Sequence, residues 1–467
     1  MAVTLSQSPS TPFDMAYGPN PVTLSGIPTD PVTGVPTADK YVLRIFRAGA
    51  LIADLRQSPN RDGRAIFDIQ NTLQSQVSSS APDFEQTGWI GDDLRNSERE
   101  STPFEFQWGY EVGGVVVMET AFANTWLDFG GTKEYYEVPF NNLPYIPAVI
   151  DIGGCTNVTT QAQPFTDLNN YRLGADITDG KPAWIANNMR VYDHYVTRED
   201  MTTISYYNGL RAVGPVATPV KSIEAFVFYQ YDGNTLLDVN PVYNLQANGG
   251  GPNTAVGGGA QVVYPYNAIT LATGPKNFQD FNSNATHYYV KTGAWTNDTI
   301  CAAEVDEVTD KSLHYVHRFN IVEADCNDYE HYQFSWLNSF GFRDYYTFKK
   351  KKERALSISR NEFLKEAANY NGQDYDVNIY DRGTTVYSQK LQENYVAYTD
   401  YLSDVDARYL EGLFKSPDVR VRFGGTTEFV PISLMSTTWT EKTYRKDRLF
   451  QYDIKFKRAH NLKSQRG

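Results

Sequence analysis

Cysteine is scarce in this chain: Cys155, Cys301 and Cys326 are the only three in 467 residues. They are too few and too scattered for a disulfide framework, and no two stand at metal-ligand spacing, so assembly in a reducing compartment is the simplest expectation. Positive charge is also short. Lys and Arg number 42 against 55 Asp and Glu, a formal net charge of -13. Phosphate contacts need a basic surface, so no specific nucleic-acid binding is expected. Long apolar runs are missing as well. The longest, around Val115, Val116, Val117 and Met118, falls far short of the ~20 residues of a membrane-crossing helix, and no membrane span is expected. The first residues lack a basic segment followed by an apolar one, so no secretory leader is expected either.

Recognisable chemistry is a further absence. The sequence contains no Gly-x-Ser-x-Gly elbow, no His-Glu-x-x-His and no phosphate loop. His314 and His317 lie three apart in a strand-like run, an odd spacing that puts them on opposite faces, where they cannot chelate one ion. The acidic knot of Glu323, Asp325, Asn327, Asp328 and Glu330 offers oxygen ligands but lacks the calcium-loop spacing and its glycine. The glycine triplets at 249–251 and 257–259 are followed by no Lys-Ser or Lys-Thr and read as hairpin tips. Nothing singles out one carboxylate pair for glycoside hydrolysis. The expectation is a protein that is not an enzyme and has no cofactor and no metal site.

What the chain has in quantity is aromatic residues and turn formers: 33 Tyr, 25 Phe and 34 Gly. Aromatic enrichment favours strands, and abundant Gly and Pro favour short strands joined by turns. The reading is mainly β, with several β-sandwich-like modules in series and a C-terminal antiparallel sheet packed by one short helix. Residues 1–39 form an extended Pro-rich arm, carrying Pro9, Pro12, Pro19, Pro21, Pro28, Pro31 and Pro36, a composition expected to resist central-strand pairing. Residues 40–147 make an N-terminal β-sandwich-like domain. It opens on a strand at 41–47, a hairpin partner at 51–56 and a Pro-Asn-Arg-Asp-Gly turn at 59–63. A short helix is expected at 71–77 and a long polar, acidic surface loop at 78–102. Residues 148–329 form a middle β domain with Gly-rich loops.

Residues 330–374 are an aromatic joint. Tyr332, Phe334 and Trp336 lead to a break at Asn338, Ser339, Phe340 and Gly341, and a second run of Tyr345, Tyr346 and Phe348 follows. An Asn/Gly break between two apolar runs predicts a tight corner. Next comes a basic cluster, Lys349, Lys350, Lys351 and Lys352. It reads first as a solvated run, and on so acidic a protein it is also the candidate contact for an acidic partner. Residues 375–467 form a C-terminal β domain with one helix. Ser403 and Asp406 resemble a capping box, and Tyr409, Leu410, Leu413 and Phe414 recur at helical spacing before Ser416-Pro417. Strands are expected at 419–423, 429–435, 437–443 and 449–456. In the last, Phe450, Tyr452, Ile454 and Phe456 alternate with Gln451, Asp453, Lys455 and Lys457, predicting one buried face and one wet face.

The succession of the strand–hairpin–turn unit at 41–77, the corner Trp336-Leu337-Asn338-Ser339-Phe340-Gly341 with Asp344-Tyr345-Tyr346-Thr347-Phe348, and the segment 387–466 resembles virion structural proteins of tailed bacteriophages. The resemblance is to those of crAss-like and other Bacteroidetes phages. In the last segment it rests on Leu410-Glu411, Leu413, Ser416-Pro417-Asp418-Val419, Pro431-Ile432, Glu441-Lys442-Thr443, Arg445-Lys446-Asp447-Arg448-Leu449 and Ser464-Gln465-Arg466. It covers the first and last quarters and departs most at 148–329. The resemblance implies a subunit of a ring, neck or hub assembly in the tail, repeated around the tail axis and built in the bacterial host cytoplasm. It implies further copies of the chain and neighbouring tail or portal-proximal proteins as partners, and it supplies no catalytic residues. A second reading is a receptor- or glycan-binding virion protein, such as a tail-fibre base or capsid decoration. A third is a tail-associated glycan-degrading enzyme.

Overall fold

The computed structural model describes residues 3–7, 13–18, 20–28, 32–33, 38–47, 49–77, 94–96, 101–122, 126–132, 150–152, 159–161, 190–207, 225–243, 268–296, 299–301, 315–322, 330–364, 369–370, 375–376, 383–402, 404–436 and 451–460. Strands dominate these residues, as the composition predicts, and two short helices accompany them. The chain divides into two units, residues 1–323 with 336–346, and residues 324–335 with 347–467.

The first unit opens with β1 (Thr4–Gln7), β2 (Phe13–Tyr17), β3 (Pro21–Ser25), β4 (Lys40–Arg47), β5 (Ala50–Gln57), β6 (Ala65–Asp68) and α1 (Gln70–Gln74). It continues through β7 (Leu94–Asn96), β8 (Ser101–Val112), β9 (Val115–Phe122) and β10 (Trp126–Thr132). One sheet runs β1-β3-β6; the other runs β2-β10-β8-β4-β5, with β9 also on β8. Tyr41, Leu43, Ile45, Phe104 and Phe106 from the larger sheet meet Val22, Leu24 and Phe67 from the smaller, with Leu73 of α1 beside them. The expected hairpin at 41–56 forms as β4–β5. Its turn neighbour is held from the core: the Tyr41 hydroxyl donates to the Gly63 carbonyl at 2.6 Å and accepts from the Ile27 amide at 3.0 Å. Gly109 of β8 lets the neighbouring strand close in at an irregularity of the ladder, since a Cβ there would lie 2.1 Å from the Val117 carbonyl oxygen.

Two expectations are corrected here. The Pro-rich arm is not outside the fold. β3 is the central strand of its sheet, Val22 and Leu24 are fully buried, and β2 pairs in parallel with β10. The prolines permit this because they bracket the strands, with Pro21 at the first position of β3, where a missing N–H costs least. The polar stretch at 78–102 is not wholly loop either: β7 lies within it and β8 begins at Ser101.

The middle region supplies β11 (Ile150–Ile152), β12 (Thr159–Gln161), β13 (Arg190–Val196), β14 (Thr203–Tyr207), β15 (Ala225–Asp232), β16 (Thr235–Tyr243), β17 (Ala268–Ala272), β18 (His287–Thr296), β19 (Thr299–Cys301) and β20 (Tyr315–Ile321). A sheet ordered β13-β20-β18-β15-β16, with β19 on β18, and a smaller sheet ordered β14-β17-β7 enclose a core of Phe226, Phe228, Phe278, Tyr288, Phe319, Ile269 and Leu271. Phe228 stacks on Phe278 at 4.0 Å and Tyr288 on Phe319 at 4.8 Å between ring centroids. Both glycine triplets lie outside the described residues.

The C-terminal part contains β21 (Tyr332–Leu337), β22 (Arg343–Phe348), β23 (Lys352–Leu364), β24 (Asn369–Tyr370), β25 (Tyr375–Asp376), β26 (Thr384–Tyr398), α2 (Asp404–Lys415), β27 (Val419–Phe423), β28 (Val430–Leu434) and β29 (Asp453–Arg458). Seven of the strands form one sheet ordered β22-β21-β27-β28-β29-β26-β23. The corner between β21 and β22 forms where Asn/Gly predicts it. The Asn338 side-chain oxygen accepts from the amides of Phe340 and Phe342, both at 3.0 Å, and Gly341 has φ of 86°. Helix α2 spans the predicted periodic stretch and buries Tyr409, Leu410 and Leu413, with Phe414 partly buried. Tyr452, Ile454 and Phe456 are buried while Gln451, Asp453 and Lys455 are exposed, which is the predicted alternation. Ser403, Phe450 and the strand expected at 437–443 lie outside the described residues.

Candidate functional site

The basic cluster sits at the entry to β23, and its four lysines meet different surroundings. Lys349 is partly buried just after β22. The Lys350 Nζ lies 3.2 Å from Asp400, and the Lys351 Nζ 2.8 Å from Glu353. Lys352 begins β23 and places its Nζ 4.3 Å from the centroid of the Tyr332 ring, a cation–π contact. Burial pulls the Lys352 amine down to about 8, with Glu330 opposing the shift. Among the described residues its Nζ has no hydrogen-bond partner. At least two of the four charges are thus engaged by carboxylates of the same unit, which leaves a weaker positive patch than four adjacent lysines suggest. This arrangement can bind or pack.

Beside Lys352 lies an aromatic cluster. Tyr395 stacks on Phe456 at 5.2 Å, and Tyr332 meets Phe423 edge-on at 5.0 Å. A buried carboxylate, Glu393, closes it. Its oxygens accept from the Tyr395 hydroxyl at 2.5 Å and from Arg354, and Arg458 lies 3.6 Å away. Burial pushes the Glu393 carboxyl up, but hydrogen bonds from Tyr395 and Arg354 and the charges of Arg354 and Arg458 outweigh it, so its pKa is lowered. Sequence reasoning did not link these residues. Glu393 and Tyr395 share a face of β26, whereas Arg354 arrives through cross-strand register, opposite Tyr395.

The same two strands then run on past the rest of the sheet. β29 pairs with β26 only over 394–398, whereas β23 pairs with β26 from Lys352–Ala397 to Leu364–Thr384. Residues 356–364 and 384–393 therefore form a two-stranded ribbon. Period-2 alternation puts Leu356, Ile358 and Leu391 on one of its faces. Leu356 is 53%, Ile358 43% and Leu364 81% exposed. Near the tip, Phe363 and Tyr387 meet at 6.2 Å between ring centroids, where the register skips Tyr387. The composition of β23, polar at most positions, conceals this apolar stripe.

Of the residues weighed for metal chemistry, His317 and Glu330 fall among the described residues. His314 lies outside the described residues, as do Glu323, Asp325, Asn327 and Asp328, and Glu330 is exposed. His317 finds a different histidine: its Nδ1 lies 2.8 Å from the Nε2 of His194 on the parallel neighbour β13. Burial drives the His317 imidazole down to about 3, so it is neutral and acts as a core residue stacked on Tyr192. Next to it, Arg318 and Asn320 both donate to Asp193, at 2.6 and 2.8 Å. Among the described residues no group of three or more His, Cys, Asp or Glu is placed to hold a metal ion. Among them, too, no helix is long and apolar enough to cross a membrane.

No protein-family model matches the chain, and no curated protein matches it. Among solved structures, extracellular domains 3–5 of Drosophila OTK show a similarity at 7% identity, covering 85% of this chain and 92% of that one, with a TM-score of 0.18. A TM-score that low carries no argument about fold or function.

Proposed function

We propose that the chain is a virion structural protein, a subunit of a ring, neck or hub assembly in a bacteriophage tail, working by oligomeric packing and not by catalysis. The setting comes from the resemblance of its first and last quarters to tail structural proteins. The observation that carries the packing role is the β23–β26 ribbon. A two-stranded ribbon is marginal in water without a covered face, and this one exposes Leu356, Ile358 and Leu364. Exposed apolar surface of this kind marks a place where another chain sits. Its partners are other copies of the chain and neighbouring tail or portal-proximal proteins, and its location is the virion tail.

Gold-labelled antibody against the chain, applied to particles of a phage that encodes it, tests the reading by electron microscopy. Label at the tail or neck, with several copies per particle, is the expected result. Label on the capsid surface or at fibre tips, together with retention of purified protein on host glycans, would overturn it in favour of a receptor-binding protein.

A further inference from the structure

β23 is 13 residues long, has no Pro or Gly, and among the described residues is an edge strand whose outer backbone edge pairs with no other strand. Exposed edges are usually blunted by Pro, short length, a bulge or charged side chains; β23 has the last of these, in Lys352, Glu353, Arg354, Arg360 and Glu362, and their order decides what it can pair with. Here the one irregularity falls on the partner strand, because Asn361 and Glu362 face Ser388 and Val386 and the register skips Tyr387. β23 itself keeps strict alternation. Lys352, Arg354, Leu356, Ile358, Arg360, Glu362 and Leu364 share one face, and the odd-numbered residues share the other.

That strand is its own electrostatic complement. Two copies paired antiparallel about a two-fold axis perpendicular to the sheet must keep like faces together, which restricts the axis to a residue position. With the axis at Ile358, Arg354 of each copy stands opposite Glu362 of the other, Leu356 opposite Arg360, and Ser357 opposite Ser359. No like charges are opposed. Moving the axis to Ser357 sets Arg354 against Arg360, and moving it to Leu356 sets Lys352 against Arg360. Moving it to Ser359 leaves Arg354 facing Leu364 and Glu362 facing Leu356. Opposite charges directly across a sheet stabilise and like charges destabilise it, so the Ile358 register is favoured.

We propose that β23 pairs edge to edge with β23 of a second copy of this chain, two-fold about Ile358, joining two ribbons into one four-stranded sheet ordered β26-β23-β23-β26. The contact completes the backbone hydrogen bonding of both edges. It also merges Leu356, Ile358 and Leu391 of the two copies into one continuous apolar strip. The inference rests on the oligomeric reading above only in requiring a second copy: a two-fold contact closes at two copies, so it would join chains of two facing rings or of a dimeric unit and not neighbours around one ring; it names the strand and the register.

Two measurements on the full-length protein test it. Directly opposed residues of an antiparallel pair have Cα atoms about 4.5–5.5 Å apart, within the ~4.4–6.8 Å that a disulfide spans. Mild oxidation of Ile358→Cys should therefore give a cross-linked dimer. Asn361→Cys, whose copies would stand about 20 Å apart at roughly 3.3 Å per residue, should give no more than the native protein with its own cysteines. In sedimentation, Glu362→Arg should weaken self-association roughly tenfold, through two lost attractions and two new repulsions. Arg354→Glu also removes the partner of Glu393, so the register is read from the mixture: equimolar Arg354→Glu and Glu362→Arg should associate more tightly than either variant alone, since both cross-copy pairs are then of opposite charge. Circular dichroism establishes that each variant is folded. Absence of Ile358 cross-linking, or a mixture no tighter than either variant, would overturn the strand and register, while tail localisation of the chain in particles would stand or fall separately.

Discussion

Lys352 carries an ammonium that burial disfavours and that the Tyr332 ring and the charge of Glu330 partly offset. Its pKa is lowered to about 8 from an ordinary 10.5. Between those two values the unfolded chain holds a proton that the folded chain has released, so folding stability rises with pH across that window and is lowest, for this group, below about 8. At 1.36 kcal/mol per unit the full shift sets an upper bound of about 3.4 kcal/mol, and partial solvation brings the expected effect to ~1–2 kcal/mol. Lys352→Met should raise stability by about that amount at pH 7 and abolish the rise between pH 8 and 10.5. Urea melts of both proteins at pH 7 and pH 10 measure it, and a parallel pH dependence in the two would remove Lys352 as the source. The Lys351–Glu353 contact was legible as one between near neighbours in sequence, Lys351 standing just before β23 and Glu353 within it. The Lys350–Asp400 pair was not, because 50 positions separate the partners and only the packed unit joins them.

Elements were legible where one face of a strand is buried and the other wet. β29 shows it best: Tyr452, Ile454 and Phe456 point inward, and Thr399 clamps the start of the strand by exchanging backbone and side-chain hydrogen bonds with Tyr452. Tyr452→Asp puts an unpaired carboxylate among apolar groups and deletes an aromatic ring, at a cost of about 3–5 kcal/mol. Urea unfolding of the C-terminal unit should shift accordingly, and an unmoved midpoint would show that Tyr452 does not face the core. β23 was less legible. Its start read as strand, but its length and its unsupported projection follow from a pairing with β26 that no periodicity announces. The helix α2 was readable from its 3.6-residue spacing, and the corner at 338–342 from its turn residues.

Across the whole molecule, the Pro-rich arm is where composition misled. Proline content predicts an extended tail, yet Val22, Leu24 and Ile27 are core residues and the Ile27 amide reaches the Tyr41 hydroxyl. Each of the three contributes roughly 1.5–3 kcal/mol by burial, a sum comparable with the total stability of a domain, about 5–15 kcal/mol. Removal of residues 1–39 should therefore unfold the N-terminal module and not merely weaken assembly. Loss of near-ultraviolet dichroism and rapid proteolysis at 40–132 would register it, and an intact melting curve would return the arm to the role of a tail.

The strand order β13-β20-β18 also sets a schedule for synthesis. β20 lies between two strands made before it and pairs in parallel with β13, which is complete at Val196. At about 5–20 residues per second, β13 leaves the ribosome on the order of 6–25 s before its partner exists. Throughout that interval β13 lacks the strand it pairs with among the described residues, so slower translation would lengthen the wait and lower the yield of folded chains.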